Sequence, residues 1–386
     1  MIDLPLFDDS HRALAARLRD VMARVEPIAA RGDDGEVDAA GREAIAVCAE
    51  LGLCRLLVPR EFGGEGLDLR SVCLVREALA SASGLVDAVF AVQGLGSYPI
   101  ALSGNAAVAS RYLPDVASGR RISAFALTER DAGSDAAAVT TRAVRDGEEY
   151  VLDGTKVFIS NATIASFVTV FARTAEGRKR AISAFVVDAD SSGLSISRRQ
   201  AVTGPHPIAE LRFDGCRVPV SHRLGEEGDG MRLALGTLDF YRTSVGAAAC
   251  GMAARALAES LRHVCSRTQF GSKLADFQLT QAALAGMATE LDAARLLVYR
   301  AAWAKDQGQP RVTRESATAK LFATEAAQRI VDRAVQLHGG LGVERGTVVE
   351  RLYREVRAPR IYEGTSEIQK LVIARELLAE LQTPNS

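Results

Sequence analysis

The chain has 386 residues, 48% of them hydrophobic and 25% charged, with a formal net charge of −1. That balance belongs to a globular protein with core enough for two or three domains. It excludes a global field that would draw the chain to nucleic acid or an anionic membrane, so any anionic ligand must be held by local groups. The cysteines Cys48, Cys54, Cys73, Cys216, Cys250 and Cys265 form no C-x-x-C and mostly sit in apolar stretches, as buried free thiols in a reducing compartment do. The histidines His11, His206, His222, His263 and His338 lack metal-ligand spacing, and no metal site is expected. The N-terminal MIDLPLFDDS has neither the basic nor the apolar part of a leader, and no run of about eighteen apolar residues follows, so a cytoplasmic protein without membrane contact is expected.

Residues 1–121 form an expected N-terminal helical domain. His11–Ala30 and Ala40–Leu53 carry apolar residues at helical spacing. VPREFGGEGLD (58–68) breaks the pattern with proline and glycines, and helical signal returns over Leu69–Ser83 and Val86–Leu102. From 122 to 228 the period changes to two. ISAFALTE, EEYVLDGTKVFIS, FVTVFART, AISAFVVD and AELRFDGCRVP predict strands separated by Gly-containing turns, an antiparallel barrel or sandwich. From 229 to 386 long amphipathic patterns return over Met231–Ser266, Gln278–Gln307, Thr313–His338 and Ser366–Leu381, predicting a helical bundle with a frayed TPNS end. The fold class is α+β, mostly α: helices, then strands, then helices.

Five stretches have residues suited to chemistry. In RIYEGTSEIQKL (360–371), Ser366 and Gln369 fit a capping box, which places Glu363 on a Gly-containing turn beside a helix N-terminus. In isolation an exposed Glu in a helix-entry loop is the plainer reading. ALTERDAGSD (126–135) ends a strand in a turn whose backbone N–H groups and Thr128 and Ser134 hydroxyls suit a polar ligand. GTKVFISN (154–161) puts Phe158 in a strand, either as core or as a platform for a flat ring. SRTQFGSKLADFQLTQ (266–281) links two long helices and offers Arg267 to a phosphate. QLHGGLGVERG (336–346) is glycine-rich, but its glycines follow a helix and do not match G-x-G-x-x-G, which rules out a Rossmann site.

Taken together and in this order, LGLCRLLVPREFGGEGLD, LTERDAGSD, DGCRVP, RTQFG, QLHGGLG and IYEGTSEIQ resemble the acyl-CoA dehydrogenase family over nearly the whole chain. The resemblance implies an N-terminal helical domain, a middle β-domain and a C-terminal four-helix bundle. It also implies a homotetramer built as a dimer of dimers, with FAD between β-domain and bundle and the neighbouring subunit completing its site. Carried over by position, Phe125, Leu127, Thr128, Gly133, Ser134, Phe158, Ile159 and Ser160 should meet the flavin of the same subunit. Arg267, Phe270, Gln278, Gln336, Gly339 and Gly340 should reach the partner's, and Thr365 and Glu367 should also approach the cofactor. Ser134, Asp239, Phe240, Tyr241, Arg242 and Gly364 fall at substrate positions. Glu363 falls at the catalytic base, which takes the α-proton while a hydride leaves the β-carbon for the flavin. The electrons would pass to an electron-transfer flavoprotein.

Some relatives carry the base on the earlier helix. Tyr241 stands there in this chain and is a poor base, so Glu363 is the expected one. Burial of Glu363 would raise its pKa and the helix N-terminus would lower it. By resemblance the segment Phe90–Ile100 should line the end of the acyl pocket, where Gln93 and Tyr98 either shorten it, bind a polar group, or face elsewhere. The chain departs from the family at Arg130–Asp131, at Phe158 in place of a common Trp, and in VTGPHPIAEL (202–211), a reshaped loop expected near the substrate entrance. The last departure keeps an acyl-carrier-protein-bound substrate as an alternative to acyl-CoA. An oxidase or monooxygenase on the same fold and a non-catalytic flavin- or nucleic-acid-binding relative are the readings of other kinds.

Overall fold

The computed structural model describes residues 2–177, 180–309 and 311–382; the terminal TPNS lies outside them. In chain order the helices are α1 (Asp9–Arg17), α2 (Val21–Asp33), α3 (Val37–Glu50), α4 (Leu69–Ala82), α5 (Gly84–Ser103) and α6 (Ala106–Ala117). The strands β1 (Ser123–Ala126), β2 (Arg142–Asp146), β3 (Glu149–Ser160), β4 (Phe167–Arg173), β5 (Ile182–Asp188), β6 (Leu194–Arg199), β7 (Ile208–Pro219) and β8 (Arg223–Leu224) follow. Then come α7 (Gly230–Ser266), β9 (Thr268–Gln269), β10 (Ser272–Lys273), α8 (Gln278–Asp306), α9 (Thr313–His338), α10 (Val348–Glu355) and α11 (Ser366–Gln382). The helix, strand, helix order is as the periodicity predicts. The pattern did not resolve α6 and α10 as separate helices, nor the strands β2, β6, β8, β9 and β10. β6 shows why: its residues are nearly all exposed, so it has no alternation to detect.

The chain divides into two units, each discontinuous in sequence. One holds Met1–Ala29, Asp68–Asp87 and Asp239–Ser386; the other holds Ala30–Leu67 and Ala88–Leu238.

The first unit is all-helical apart from the β9–β10 hairpin. Its core is built largely from alanine: Ala247, Ala249, Ala301, Ala302, Ala319 and Ala326 are completely buried. Small side chains let helix axes approach closely. A Cβ on Gly251 of α7 would lie 2.1 Å from the Glu77 carbonyl oxygen of α4, so only glycine permits that crossing. Polar pairs tie α4 to α8. Arg70 Nε donates to Asp306 Oδ2 at 2.8 Å, and Tyr299 Oη donates to Glu77 Oε2 at 2.7 Å.

The second unit is a sheet with helical cover. Its strand order is β6-β7-β3-β2-β4-β5-β8, with β1 on β4. Most pairs are antiparallel as expected, but β1 and β2 pair with β4 in parallel, so the sheet is mixed. β4 and β5 are buried on both faces. Phe167 and Phe171 join a cluster with Tyr112 and Leu113 of α6, while Val168 and Val170 join Leu152 and Leu211 on the other side. That explains the largely apolar runs FVTVFA and ISAFVV, whose Thr169 and Ser183 are buried and hydrogen-bonded.

α5 has a window of mean hydropathy 1.4, but 83% of that window is buried inside the protein, as in a core helix. Gln93 on it is wholly committed: its Nε2 donates to the Arg121 carbonyl at 2.7 Å and its Oε1 accepts the Ser123 N–H at 2.9 Å. It therefore anchors β1 through both ends of its amide. Five cysteines are buried as expected, whereas Cys265 is exposed.

Candidate active site

Glu363 and Gly364 form the turn into α11, with φ of 54° and 93°. The left-handed region costs a glutamate about 1 kcal/mol. Side chains from three helices oppose that cost at the turn's carbonyls. Arg242 Nε of α7 donates to the Glu363 oxygen at 3.2 Å, and Lys320 Nζ of α9 donates to the Gly364 oxygen at 2.7 Å. Gln369 Nε2 of α11 donates to both, at 3.3 and 2.9 Å. A φ of 93° favours glycine at 364, and a Cβ there would also displace that same Nε2, 2.5 Å away. The expected capping box does not form, and the cap is Thr365 alone. Thr365 Oγ1 accepts the Ile368 N–H at 3.3 Å, while Ser366 Oγ donates to Glu325 and Gln369 turns back to the carbonyls. Gln369 gives both carbonyls its Nε2 donor, and its Oε1, the atom a capping box would use, is left buried without a hydrogen-bond partner.

Within this unit the Glu363 carboxyl is in a low-dielectric setting. Its Oε2 is buried and has no hydrogen-bond partner. Burial pushes its pKa up to about 7, against the opposing pull of Arg76, Lys320 and Arg242. Between the two effects anticipated from the sequence, desolvation therefore wins over stabilisation of the anion. Arg76 is itself fixed by a bidentate pair to Asp87 at 2.9 and 2.8 Å, both side chains 1% exposed, and donates to Ser244 Oγ at 2.9 Å. The Lys320 ammonium is brought down to about 8 by its own burial.

Of the α7 candidates, Arg242 belongs to this cluster and binds Asp239 Oδ1 at 2.6 Å. Phe240 is 3% exposed, and Tyr241, at 0%, presents no surface to a ligand in this chain. Thr365 is half-buried at the cap, and Glu367 is exposed with its pKa lowered by a backbone N–H and the Thr365 hydroxyl.

In the sheet unit, ALTERDAGSD is braced from beneath. The Glu129 carboxylate accepts from the Thr140 and Thr141 N–H groups at 2.6 and 3.0 Å and from buried Lys156 Nζ at 2.8 Å. Lys156 also donates to the Leu127 carbonyl at 3.0 Å. Leu127 packs in the core, Phe125 lies against Phe171 at 4.9 Å between ring centres, Thr128 is half-buried, and Gly133 and Ser134 are exposed. Phe158 is not core: it is 57% exposed, at φ 55°, in a bulge of the β3–β7 pairing. Ile159 beside it is 1% exposed and packs inward, and the half-buried Ser160 Oγ lies 2.6 Å from His206 Nε2.

The remaining candidates lie on the helical unit's surface. Arg267, Gln278, Gln336, Gly339 and Gly340 are all exposed. The β9–β10 hairpin turns at Phe270 and Gly271, φ 52° and 77°, as a tight two-residue hairpin requires. Phe270 is left 95% exposed, with Leu279 at 88% and Val343 at 72%.

Each unit thus has features that fit a flavin nucleotide: an exposed aromatic face with a hydroxyl beside it in one, exposed arginine and amide donors in the other. Motif reading missed Arg76, Lys320, Gln200 and His206. A charge inside the apolar face of a helix pattern was the available signal for Arg76 and Lys320.

Family models for the acyl-CoA dehydrogenase N-terminal, middle and C-terminal domains match residues 8–120, 124–216 and 228–378. A cyclohexane-1-carbonyl-CoA dehydrogenase of Geobacter metallireducens is 39% identical over 92% of this chain and 94% of that protein. The butyryl-CoA dehydrogenase structure from Megasphaera elsdenii superposes with a TM-score of 0.90 at 32% identity, covering 96% of this chain and 99% of that one. An acyl-CoA dehydrogenase complexed with FAD from Bacillus anthracis superposes at 0.91 and 32% identity, over 97% of this chain and 68% of that one.

Proposed function

From the chain's membership of the acyl-CoA dehydrogenase family, FAD-dependent oxidoreductases acting on CH–CH bonds, we propose that it desaturates an acyl-CoA between Cα and Cβ, with Glu363 as the base. The observation that carries this is the carboxyl of half-buried Glu363: its Oε2 is buried and free of hydrogen bonds, and desolvation raises its pKa to about 7. An ordinary surface glutamate would be too weak a base for a thioester α-proton. One matched to neutral pH is strong enough and still largely ionised above pH 7.

The residues around it divide the work. Arg242, Lys320 and Gln369 fix the turn through its carbonyls and leave the carboxyl free. The α-proton passes to Oε2 of Glu363. The cationic surroundings of Arg76, Lys320 and Arg242 keep enough of the base ionised beforehand. FAD, when bound, supplies the acceptor for the hydride lost from the β-carbon. Phe158, Ser160, Thr128 and Ser134 would hold its isoalloxazine side, and Arg267, Gln278 and Gln336 would reach the nucleotide of a neighbouring copy. The exposure of Phe270, Leu279 and Val343 supports the tetramer, since a lone chain gains nothing from a strained, solvated phenylalanine. Electrons would leave to an electron-transfer flavoprotein. CoA is preferred over a carrier protein because the relatives compared above are named for CoA thioesters.

The test is an anaerobic titration of the flavoprotein with short, medium, branched and cyclic acyl-CoA thioesters, watching the flavin's visible band, with Glu363→Gln in parallel. Bleaching by one acyl class, absent in the variant, is the expected result. Binding without bleaching for every CoA ester would move the substrate to a carrier protein, and failure to bind FAD at all would remove the reading.

A further inference from the structure

The loop joining β6 to β7 carries VTGPHP, a departure expected to reshape the substrate entrance. The structure gives its side chains another task. Two of them grip the edge of β3 that holds Phe158. Gln200 Oε1 accepts the Phe158 N–H at 2.8 Å, and His206 Nε2 lies 2.6 Å from Ser160 Oγ. The loop is itself anchored on α3: Arg199 Nη1 meets Asp38 Oδ2 at 2.7 Å, and the Pro207 ring stands 3.4 Å from where a Cβ on Gly41 would be. The gripped segment needs such a hold. Phe158 and Asn161 both have positive φ, at 55° and 61°, and the β3–β7 register slips between Lys156 and Ile159. The ladder resumes at Ile159 and Ser160, so Phe158 lies in the slip and its N–H is held by a side chain instead.

We propose that His206 is a positioning residue for the flavin: it fixes the direction of the Ser160 hydroxyl and so decides whether Ser160 offers the cofactor a proton or a lone pair. This rests on the reading that Phe158–Ser160 faces FAD. A serine hydroxyl has one proton and two acceptor sites, and its free rotor serves either role. A short contact to an imidazole removes that choice. Burial holds the His206 pKa down to about 4, so the ring is neutral at working pH and the tautomer it takes at Nε2 sets the direction of the Ser160 hydroxyl. The neutral partner also adds no net charge beside the flavin.

The experiment is an anaerobic redox titration of the FAD-loaded enzyme against a reference dye, with FAD affinity and thermal midpoint measured on the same samples. His206→Ala should change the flavin reduction equilibrium about tenfold, the effect of one re-aimed hydrogen bond. In a Ser160→Ala background the same substitution should change it no further. His206→Gln keeps a polar group of similar reach and should recover most of the effect. It also serves if the alanine variant fails to retain FAD. An unchanged equilibrium in His206→Ala, or a shift that persists without the Ser160 hydroxyl, would overturn the proposal. If Ser160→Ala alone alters neither equilibrium nor FAD affinity, the reading that this segment faces FAD fails instead.

Discussion

Two residues of this protein have nearly the same unusual backbone: Phe158 at φ 55° and Glu363 at φ 54°. Both are held by side chains reaching from other segments, and the holding groups differ in kind. The Glu363 turn is gripped by Arg242, Lys320 and Gln369, with the Arg76–Asp87 pair nearby, and the carboxyl is desolvated. Phe158 is gripped through its N–H by Gln200, beside the neutral His206, and its ring stays exposed. The cations beside Glu363 bear on the charge of its carboxyl, whereas the Gln200 amide and neutral His206 beside Phe158 add none, which suits the base and the stacking platform proposed above.

The largest effect should come from Glu363→Gln. Loss of the base is expected to lower kcat about 10⁴-fold in an acyl-CoA assay while ligand binding persists, and retention of more than a tenth of the activity would transfer the role to another group. Next is Lys156→Met, beneath the Phe158 segment. It leaves the Glu129 carboxylate buried without its cation and should cost about 3 kcal/mol in denaturant unfolding.

The third sharpens the contrast through pH. The folded Glu363 pKa lies at about 7 against 4.5 for an ordinary glutamate, so the protonated form is favoured in the fold. Its stabilising contribution is full below pH 4.5 and is lost as pH rises through about 7. Glu363→Gln should therefore unfold later than wild type at pH 8, by up to about 3 kcal/mol, with the gap closing toward pH 5. No gap at pH 8 would mean the carboxyl is solvated. In the same direction, Lys320→Met should move the acid limb of the kcat/KM profile to higher pH, because it removes a charge that favours the carboxylate. The smallest effect is at Phe158→Gly, expected to gain about 1 kcal/mol of stability by relieving the left-handed strain while weakening FAD binding. A loss of stability there would show that the ring packs within the chain.

Much of this was legible in advance. Periodicity located the long helices because each buries one stripe, and β4 and β5 were visible because both of their faces are buried. β2 and β6 were not, since Val144 and Ile196 stay exposed there and leave no contrast to detect. Glu363 stood out only through IYEGTSEIQ, because nothing local distinguishes a buried carboxyl from a solvated one.

The sequence by itself determined the order of elements, the family, and the residue types at the site. Those depend on local pattern and on motifs contiguous in the chain. Tertiary structure alone decided the electrostatics: which way the Glu363 pKa moves, that Arg76 and Lys320 sit close enough to oppose it, and that His206 meets Ser160. Burial and distance in three dimensions set those quantities, and residues 46 positions apart in sequence, as His206 and Ser160 are, have no spacing from which to read them.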